Sequence, residues 1–295
     1  MNNLNYAVEY QSALAQAYPY ALHFGALYAS ENNGRYRFTG ANTIQIPSIT
    51  TTGRVNGDRD TVETAKRNYE NAWETKTLSS HRKWSTLVHP VDIDETNLAA
   101  SISNITQVYN QEQKFPEMDA YLVSKVYADW KALGGQADDT ALTEENVLAQ
   151  FDKMMQAMTE ARVPLSGRVL YVTPAVETLL KNASGVTRVV NTEEGSTTYN
   201  RAVSSLDKVQ IVAVPTELLK TAYDFSTGWA VAENAEQIDM FLVHPSAIIT
   251  PVKYEFAKLD APSAGSEGKY VYYEESFEDV FILNKKAAGV QFHMA

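Results

Sequence analysis

Two acidic residues stand close together directly after a proline, in the stretch FPEMDAYLVSKVYADWKALGG at residues 115–135. Glu117 and Asp119 could act as a general acid and a general base, a task that enzymes often give to carboxylates. On a helix, however, residues two positions apart point in different directions. Pro116 suits the first turn of a helix, where carboxylates also favour the positive end of the helix dipole. We therefore interpret Pro116, Glu117 and Asp119 as the start of a structural helix.

A second group of carboxylates, Asp92, Asp94 and Glu95, resembles part of a metal site. A calcium loop needs a glycine at its sharp turn, and no glycine stands at that spacing. We favour helix capping for these residues.

Other motifs of catalysis and binding are missing from the sequence. The five histidines lack zinc-type spacing, and the absence of cysteine excludes thiol nucleophiles and thiolate metal sites. In GSEGK at 265–269, Ser263 replaces the first glycine of a phosphate-binding loop and Tyr270 replaces its Ser or Thr, which favours a hairpin loop. We predict no catalytic, cofactor-binding or metal-binding residues, and therefore no enzyme.

The composition is that of an ordinary globular protein, with 44% hydrophobic and 21% charged residues in 295. No apolar run is long enough to span a membrane, and the amino terminus lacks the pattern of a secretion signal. With no cysteine for disulfides, a cytoplasmic origin fits best. The net charge of −11 argues against tight binding of nucleic acid, although it permits a position close to it.

Two strands are predicted in the first third of the chain. Apolar alternation at Ile44, Ile46 and Ile49 predicts one strand within residues 35–50, and KWSTLVHPVDI at 83–93 predicts another. We expect the two strands to pair as an extended hairpin with a long tip. Because a lone hairpin is unstable in water, this one needs a partner surface on a neighbouring molecule.

The insert between these strands, residues 53–83, carries seven Lys and Arg residues against five Asp and Glu residues. A solvated loop is one interpretation. Its length and its aromatic residues favour an interface, because long segments without a core of their own are usually functional or disordered. The candidate contact residues are Arg54, Arg59, Lys66, Arg67, Tyr69, Trp73, Arg82 and Lys83.

Helical periodicity follows, in two apolar stripes. The first stripe lies within residues 95–109, behind Asp94 and Glu95, and the second lies within residues 118–133. Their centres differ by about 100° around the helix axis. This shift predicts a kink or break near residues 113–116.

The rest of the chain divides into a compact unit and two long strands. A helix within 143–163, the strand RVLYV, the helix AVETLLKNA and the strands VQIVAVP and MFLVHPSAII predict a compact α+β unit over residues 143–250. TPVKYEFAKL and GKYVYYEESFEDVFIL predict an antiparallel pair of long strands.

Five stretches in this order resemble the major capsid protein of tailed double-stranded DNA phages, the fold typified by Hong Kong 97 phage and shared with encapsulins. Members from phages of Gram-positive bacteria are particularly similar. FPEMDAYLVSK resembles their spine-helix signature. GRVLYVTPAVETLLKNA, VQIVAVPTELL and MFLVHPSAII resemble strands and a helix of their axial domain, and FEDVFILNKKAAGV resembles their closing peripheral strand. The resemblance covers nearly the whole chain.

The resemblance implies an α+β phage major capsid fold with five parts. These are an N-terminal arm (1–34), an extended β-hairpin loop with flanking strands (35–90), a peripheral domain with a long spine helix (91–139), a compact axial domain (140–248) and closing peripheral strands with long antiparallel pairing (249–295).

The function implied is structural. Hexamers and pentamers would form the icosahedral head of a virion around the genome, after assembly in the host cytoplasm. The implied partners are other copies of the chain, a scaffolding protein, a portal and a decoration protein, with packaged DNA enclosed but not specifically bound, no membrane and no cofactor. The alternatives are an encapsulin-type nanocompartment shell and a cytoplasmic α+β enzyme of unknown reaction.

Two features differ among members of that family. Some begin with a scaffolding segment that is later removed. Here the arm comes first, so we expect a separate scaffolding protein. Some members join subunits through a lysine–asparagine isopeptide bond. Lys66 or Lys76 and Asn284 are conceivable partners, but the sequence alone does not match them position by position.

Charge reversal of the insert tests its role as an interface. Replacing Arg54, Arg59 and Arg67 together by Glu should abolish assembly, because like charges would then meet at the contact, and should leave the monomer folded. Electron microscopy and circular dichroism measure the two properties. Normal shells from this variant would contradict the interface interpretation.

Overall fold

The computed structural model describes residues 20–57, 67–96, 100–184 and 205–295. A π-helical turn, Asn110–Lys114, joins the third helix of these ranges directly to the fourth. The α-helices are α1 (Gly25–Tyr28), α2 (Pro90–Glu95), α3 (Ile102–Tyr109), α4 (Phe115–Ala132), α5 (Val147–Glu160) and α6 (Pro174–Asn182).

Fifteen strands lie in the same ranges. They are β1 (Arg37–Phe38), β2 (Thr43–Thr51), β3 (Tyr69–Thr77), β4 (Ser80–Val88), β5 (Val169–Val172), β6 (Ser205–Leu206), β7 (Val209–Ala213), β8 (Tyr223–Asp224), β9 (Ala230–Val231), β10 (Ile238–Val243), β11 (Ile248–Ile249), β12 (Val252–Asp260), β13 (Tyr270–Glu278), β14 (Phe281–Ile282) and β15 (Val290–Met294).

The main core surrounds a five-stranded sheet with the strand order β15-β10-β5-β7-β6. All four residues of β5 are buried, as expected for a central strand covered on both faces. Helices α5 and α6 pack on one face through Phe151, Met158 and Leu180. Helices α1 and α4 contribute to the core on the other face. The helices and strands predicted within residues 143–250 are confirmed as individual elements.

A buried arginine closes the end of α5. Arg168 is almost completely buried and has no carboxylate partner among the described residues. Its guanidinium donates to the carbonyl oxygens of Met155, Val163 and Pro164 at 2.8–3.2 Å. Met155 lies in α5, and Val163 and Pro164 follow the end of the helix, so this side chain ties the following segment to the helix.

The last strand belongs to the central sheet, which corrects the predicted division of the chain. Strand β15 pairs antiparallel with β10, and Phe292 stacks on Phe241 with 4.6 Å between ring centroids. Residues 249–295 were expected to form only closing peripheral strands. The alternation of buried apolar residues in VQFHM instead suits the edge of the central sheet.

The second large sheet has the order β12-β13-β4. Strands β12 and β13 pair antiparallel along most of their length, which confirms the two long strands predicted near the end of the chain. Strand β4 was predicted to pair with the strand near residue 46, and this prediction is wrong. It pairs with β13 from Ser80 to Val88. Trp84 of β4 stacks on Tyr109 at 3.8 Å, a contact that only this placement of the strand provides.

The hairpin exists, but its second strand lies inside the predicted insert. Strand β2 pairs with β3 in continuous register from Thr43 opposite Thr77 to Thr51 opposite Tyr69. Residues 58–66 lie outside the described residues. Part of the mixed-charge insert is thus itself a strand of the hairpin.

The amino-terminal segment packs on its own chain from Tyr20 onward. Phe24 and Leu27 are fully buried in the core beside α4. Of the N-terminal arm that the resemblance implies for residues 1–34, the part from residue 20 to residue 34 therefore packs on its own chain. Residues 1–19 lie outside the described residues.

Two helix starts were predicted, one at Asp94 and Glu95 and one at Pro116, and the structure differs from the prediction at both. Helix α3 begins after Ser101, whose side chain caps it, and Asp94 and Glu95 belong to the separate short helix α2. The shift of the apolar stripe coincides with the π-helical turn. Pro116 does not start a new helix, since the helical path continues through that turn. Proline has no amide hydrogen to give to the preceding turn, and a π turn absorbs that irregularity.

A buried histidine in β15 gives the fold a pH dependence that can be measured. His293 is fully buried, and neither ring nitrogen has a hydrogen-bond partner among the described residues. Burial lowers its pKa below 6.5, against opposing effects of Asp239 and Asp138. The unfolded chain therefore binds the proton more readily, so this group costs stability as pH falls through about 6.5.

Replacement of His293 by leucine should remove this loss of stability at low pH. Between about pH 7 and pH 5, the free energy of unfolding of the native protein should fall relative to that of His293→Leu. Urea denaturation at a series of pH values measures the difference. A difference that stays constant over this range would show that His293 is not the responsible group.

Candidate functional site

Hydrophobic packing attaches the hairpin formed by β2 and β3 to the rest of the chain at its base. There Ile44 and Ile46 are buried against Leu78, Ile249 and Phe281. Beyond the base, the apolar side chains have little cover. Ile49 is 63% exposed, Tyr69 51% and Trp73 44%. Exposed apolar groups grouped on one element mark an interaction surface.

Cationic side chains accompany these aromatic rings. The guanidinium of Arg37 lies 3.9 Å from the ring centre of Trp73, and that of Arg67 lies 5.0 Å from the ring centre of Tyr69. Arg54 is exposed at the distal end of the described part of the hairpin. Two further predicted contact residues, Arg59 and Lys66, lie outside the described residues. The described hairpin thus presents both apolar and positively charged groups.

Arg82 was predicted as a contact between subunits, but it is engaged within the chain. Its guanidinium donates to both carboxylate oxygens of Glu117 at 2.5 and 3.0 Å, and to the carbonyl oxygens of Phe225 and Gly228 at 2.6 and 3.1 Å. Successive residues of a strand point to opposite faces, so the neighbouring Lys83 is exposed instead. Lys83 keeps its place as a contact candidate.

Asp119 also has a partner that its position in the sequence did not suggest. The carboxylate is fully buried and accepts hydrogen bonds from the Tyr20 hydroxyl at 2.6 Å and the amides of His23 and Phe24 at 2.9 and 3.4 Å. Burial raises its pKa, while the three donors act in the opposite direction. The amino-terminal segment is thereby fixed to helix α4.

Each of these two carboxylates has a partner that the sequence did not suggest, although Glu117 does lie in the first turn of α4. Glu117 holds strand β4, and Asp119 holds the segment around residues 20–24. The signal for Asp119 was present in the sequence, because it lies four and seven positions before Val123 and Val126 on the buried face of the helix. A buried carboxylate needs donors, and here distant parts of the chain supply them.

The base of the hairpin is tied to the carboxyl-terminal segment by a polar cluster. The amine of Lys76 donates to the side-chain oxygen of Asn284 at 3.0 Å and lies 3.3 Å from the carboxylate of Glu74. The backbone amide of Asn284 also donates to Glu74 at 3.4 Å. Lys76 and Asn284, named from the resemblance as conceivable partners, are thus neighbours within one chain. Lys66 lies outside the described residues.

The described part of the chain holds no group of three or more His, Asp or Glu residues placed to bind a metal ion. His89 and His244 accept backbone hydrogen bonds and cap short helices, which accounts for two of the histidines structurally.

A cavity of about 170 Å³ lies between α4 and β4, and the Arg82–Glu117 pair forms part of its wall. In the ranges that the structure describes, no helix could cross a membrane.

The fold, an α+β core with a projecting hairpin and a long helix beside a second sheet, is that of phage capsid proteins. The capsid structure of the cyanophage P-SCSP1u has a TM-score of 0.65 at 12% identity, covering 95% of this chain and 90% of that one. The mature capsid of bacteriophage PhiM1 gives 0.62 at 14% identity, covering 86% and 82%. A structure from Mycobacterium phage Che8 gives 0.61 at 14% identity, covering 94% and 92%.

At these levels of identity the likeness establishes the fold alone. No protein-family model matches the sequence, and no curated protein does so either.

Truncation of the buried carboxylate tests its role as the anchor of the amino-terminal segment. Asp119→Ala should lower the free energy of unfolding by about 3 kcal/mol, because three buried donors lose their acceptor. Tyr20→Phe should cost about 1 kcal/mol, since the two amide donors keep theirs. Urea denaturation measures both values.

The double variant and an exposed carboxylate provide the controls. Asp119→Ala with Tyr20→Phe should cost less than the sum of the two single changes, as expected for residues in contact. Glu112→Ala, at an exposed position of the same helical path, should change stability by less than about 0.5 kcal/mol. An Asp119→Ala variant as stable as Glu112→Ala would refute the anchor.

Proposed function

We propose that this protein is a phage major capsid protein, whose copies assemble into hexamers and pentamers and close into an icosahedral head around the genome. The observation that carries the proposal is the hairpin, whose exposed Ile49, Tyr69 and Trp73 have no adequate cover from the described residues of their own chain. The fold shared with phage capsid structures supports the same function.

A closed shell needs many modest contacts repeated by symmetry. A hairpin that leaves the body of its subunit can lie on a neighbour, and each neighbour offers the same surface in turn. Its apolar side chains then lose their contact with water, which favours association. Catalysis has no part in this function.

The charge of the chain fits a container of DNA. At a net charge of −11, a shell would repel packaged DNA more than it bound it, so the genome is enclosed without specific contacts. On this proposal the protein resides in the virion after assembly in the host cytoplasm. A scaffolding protein, a portal and a decoration protein are its further partners.

Assembly of the purified protein tests the proposal. Concentrated protein, alone or with the scaffolding protein of the same phage, should form closed particles of megadalton mass in negative-stain electron microscopy and rapidly sedimenting material in the ultracentrifuge. Only monomers or small oligomers under both conditions would contradict a shell.

A further inference from the structure

A groove lies beside the base of the hairpin, with a volume of about 270 Å³. We call it the hairpin-base groove, lined by Arg35, Pro47, Ile49, Ile249, Lys285 and Lys286 among others. Its lining combines apolar side chains with three cationic ones. A segment that fits it must therefore offer both apolar and acidic groups.

The three cations of the groove have no carboxylate within ion-pairing distance among the described residues. Lys285 donates to the carbonyl oxygen of Ile49 at 2.7 Å, and Lys286 donates to that of Ser246 at 3.1 Å. Burial, together with the nearby Arg35, lowers the pKa of Lys286. The carboxylate in the wall, Glu74, already pairs with Lys76. Glu31 acts on Lys286 in the opposite direction, but it lies beyond ion-pairing distance, so the groove carries a net positive charge in an acidic chain.

Helix α2 carries the opposite charge and is also exposed. Helix α2 has no buried residue, and its Val91 is 49% exposed. Asp92, Asp94 and Glu95 are all exposed and form no ion pair with a described residue. The charged groups of the groove and of the helix therefore both lack ion-pair partners among the described residues, and the two surfaces carry opposite charges.

Within one chain, strand β4 separates helix α2 from the base of the hairpin. Strand β4 runs from Ser80, paired with Glu278 near the hairpin base, to Val88, directly before α2. Its nine residues separate the two ends by about 26 Å at the usual rise of a strand. This separation favours a helix that is supplied by a second copy of the chain.

We infer that helix α2 of one copy docks in the hairpin-base groove of a second copy. Val91 covers the apolar wall around Ile49. The carboxylates of Asp94 and Glu95, three and four positions further along and so on the same face of the helix, meet Lys285 and Lys286. Because the two surfaces differ, the contact is head to tail and can repeat from copy to copy. The inference rests on the proposed self-assembly and names two of the surfaces that carry it.

Engineered disulfides test this contact directly, because the chain has no cysteine of its own. The variant Val91→Cys/Ile49→Cys, assembled and then oxidised, should run as a ladder of dimers, trimers and larger species in non-reducing gels. A bridge within one chain leaves a monomer, so only bridges between copies produce a ladder. In the matched control, Val91→Cys/Val231→Cys, the second cysteine is also exposed but does not line the groove, and no ladder should form.

Charge exchange gives an independent measurement. Lys285→Glu/Lys286→Glu and Asp94→Lys/Glu95→Lys should each reduce assembly at least about tenfold, which corresponds to about 1.4 kcal/mol per contact. An equal mixture of the two variants should recover assembly, because each helix then finds a groove of opposite charge. Unchanged circular dichroism establishes that both variants are folded.

The outcomes separate this inference from the proposed function. Normal particles without a ladder, or a ladder equally strong in the control, would overturn the docking of α2 and leave the shell intact. A ladder in small oligomers without particles would support the docking and contradict the shell. Failure of the mixture to recover assembly would also overturn the docking.

Discussion

A buried carboxylate must be matched by hydrogen-bond donors, and this constraint organises the subunit around helix α4. Asp119 takes its donors from the amino-terminal segment, at Tyr20, His23 and Phe24. Two positions earlier, Glu117 takes its donors from Arg82 of strand β4. Unmatched charges in these places would cost several kcal/mol, so the two side chains select the positions of elements that are distant in sequence. Arg82 extends the connection to the loop at Phe225 and Gly228. One helix thus joins the amino-terminal segment, the long sheet and this loop.

Apolar side chains of the hairpin remain exposed on the surface of the same structure, and the proposed function depends on them. The hairpin is fixed at its base by Ile44 and Ile46, yet Ile49, Tyr69 and Trp73 beyond the base remain exposed. A monomeric protein gains nothing from such a projection, whereas a subunit of a closed shell needs contacts that only a neighbour completes. A rigid body with a projecting hairpin can make such contacts, because the body fixes the direction in which the hairpin leaves it.

The sequence predicted local patterns well and long-range pairings poorly. The central strand RVLYV, the following helix and the two long carboxyl-terminal strands each carry a periodic signal in a short window, and the structure confirms them. The partner of β4 was assigned wrongly because alternation shows that a segment is a strand but does not show which edge it joins. The placement of β15 in the central sheet was missed for the same reason. At the candidate site, the burial of Asp119 could have been read from its spacing to Val123 and Val126. Its donors could not, since they lie more than ninety residues away.

The central claim is that the hairpin finds on a neighbouring copy the cover that its own chain does not give. A cryo-electron microscopy reconstruction of assembled particles measures this directly. The account predicts that the strands β2 and β3 lie against an adjacent subunit, with Tyr69 and Trp73 buried in the contact. Particles in which both side chains remain exposed to solvent, or in which the hairpin folds back on its own subunit, would contradict it.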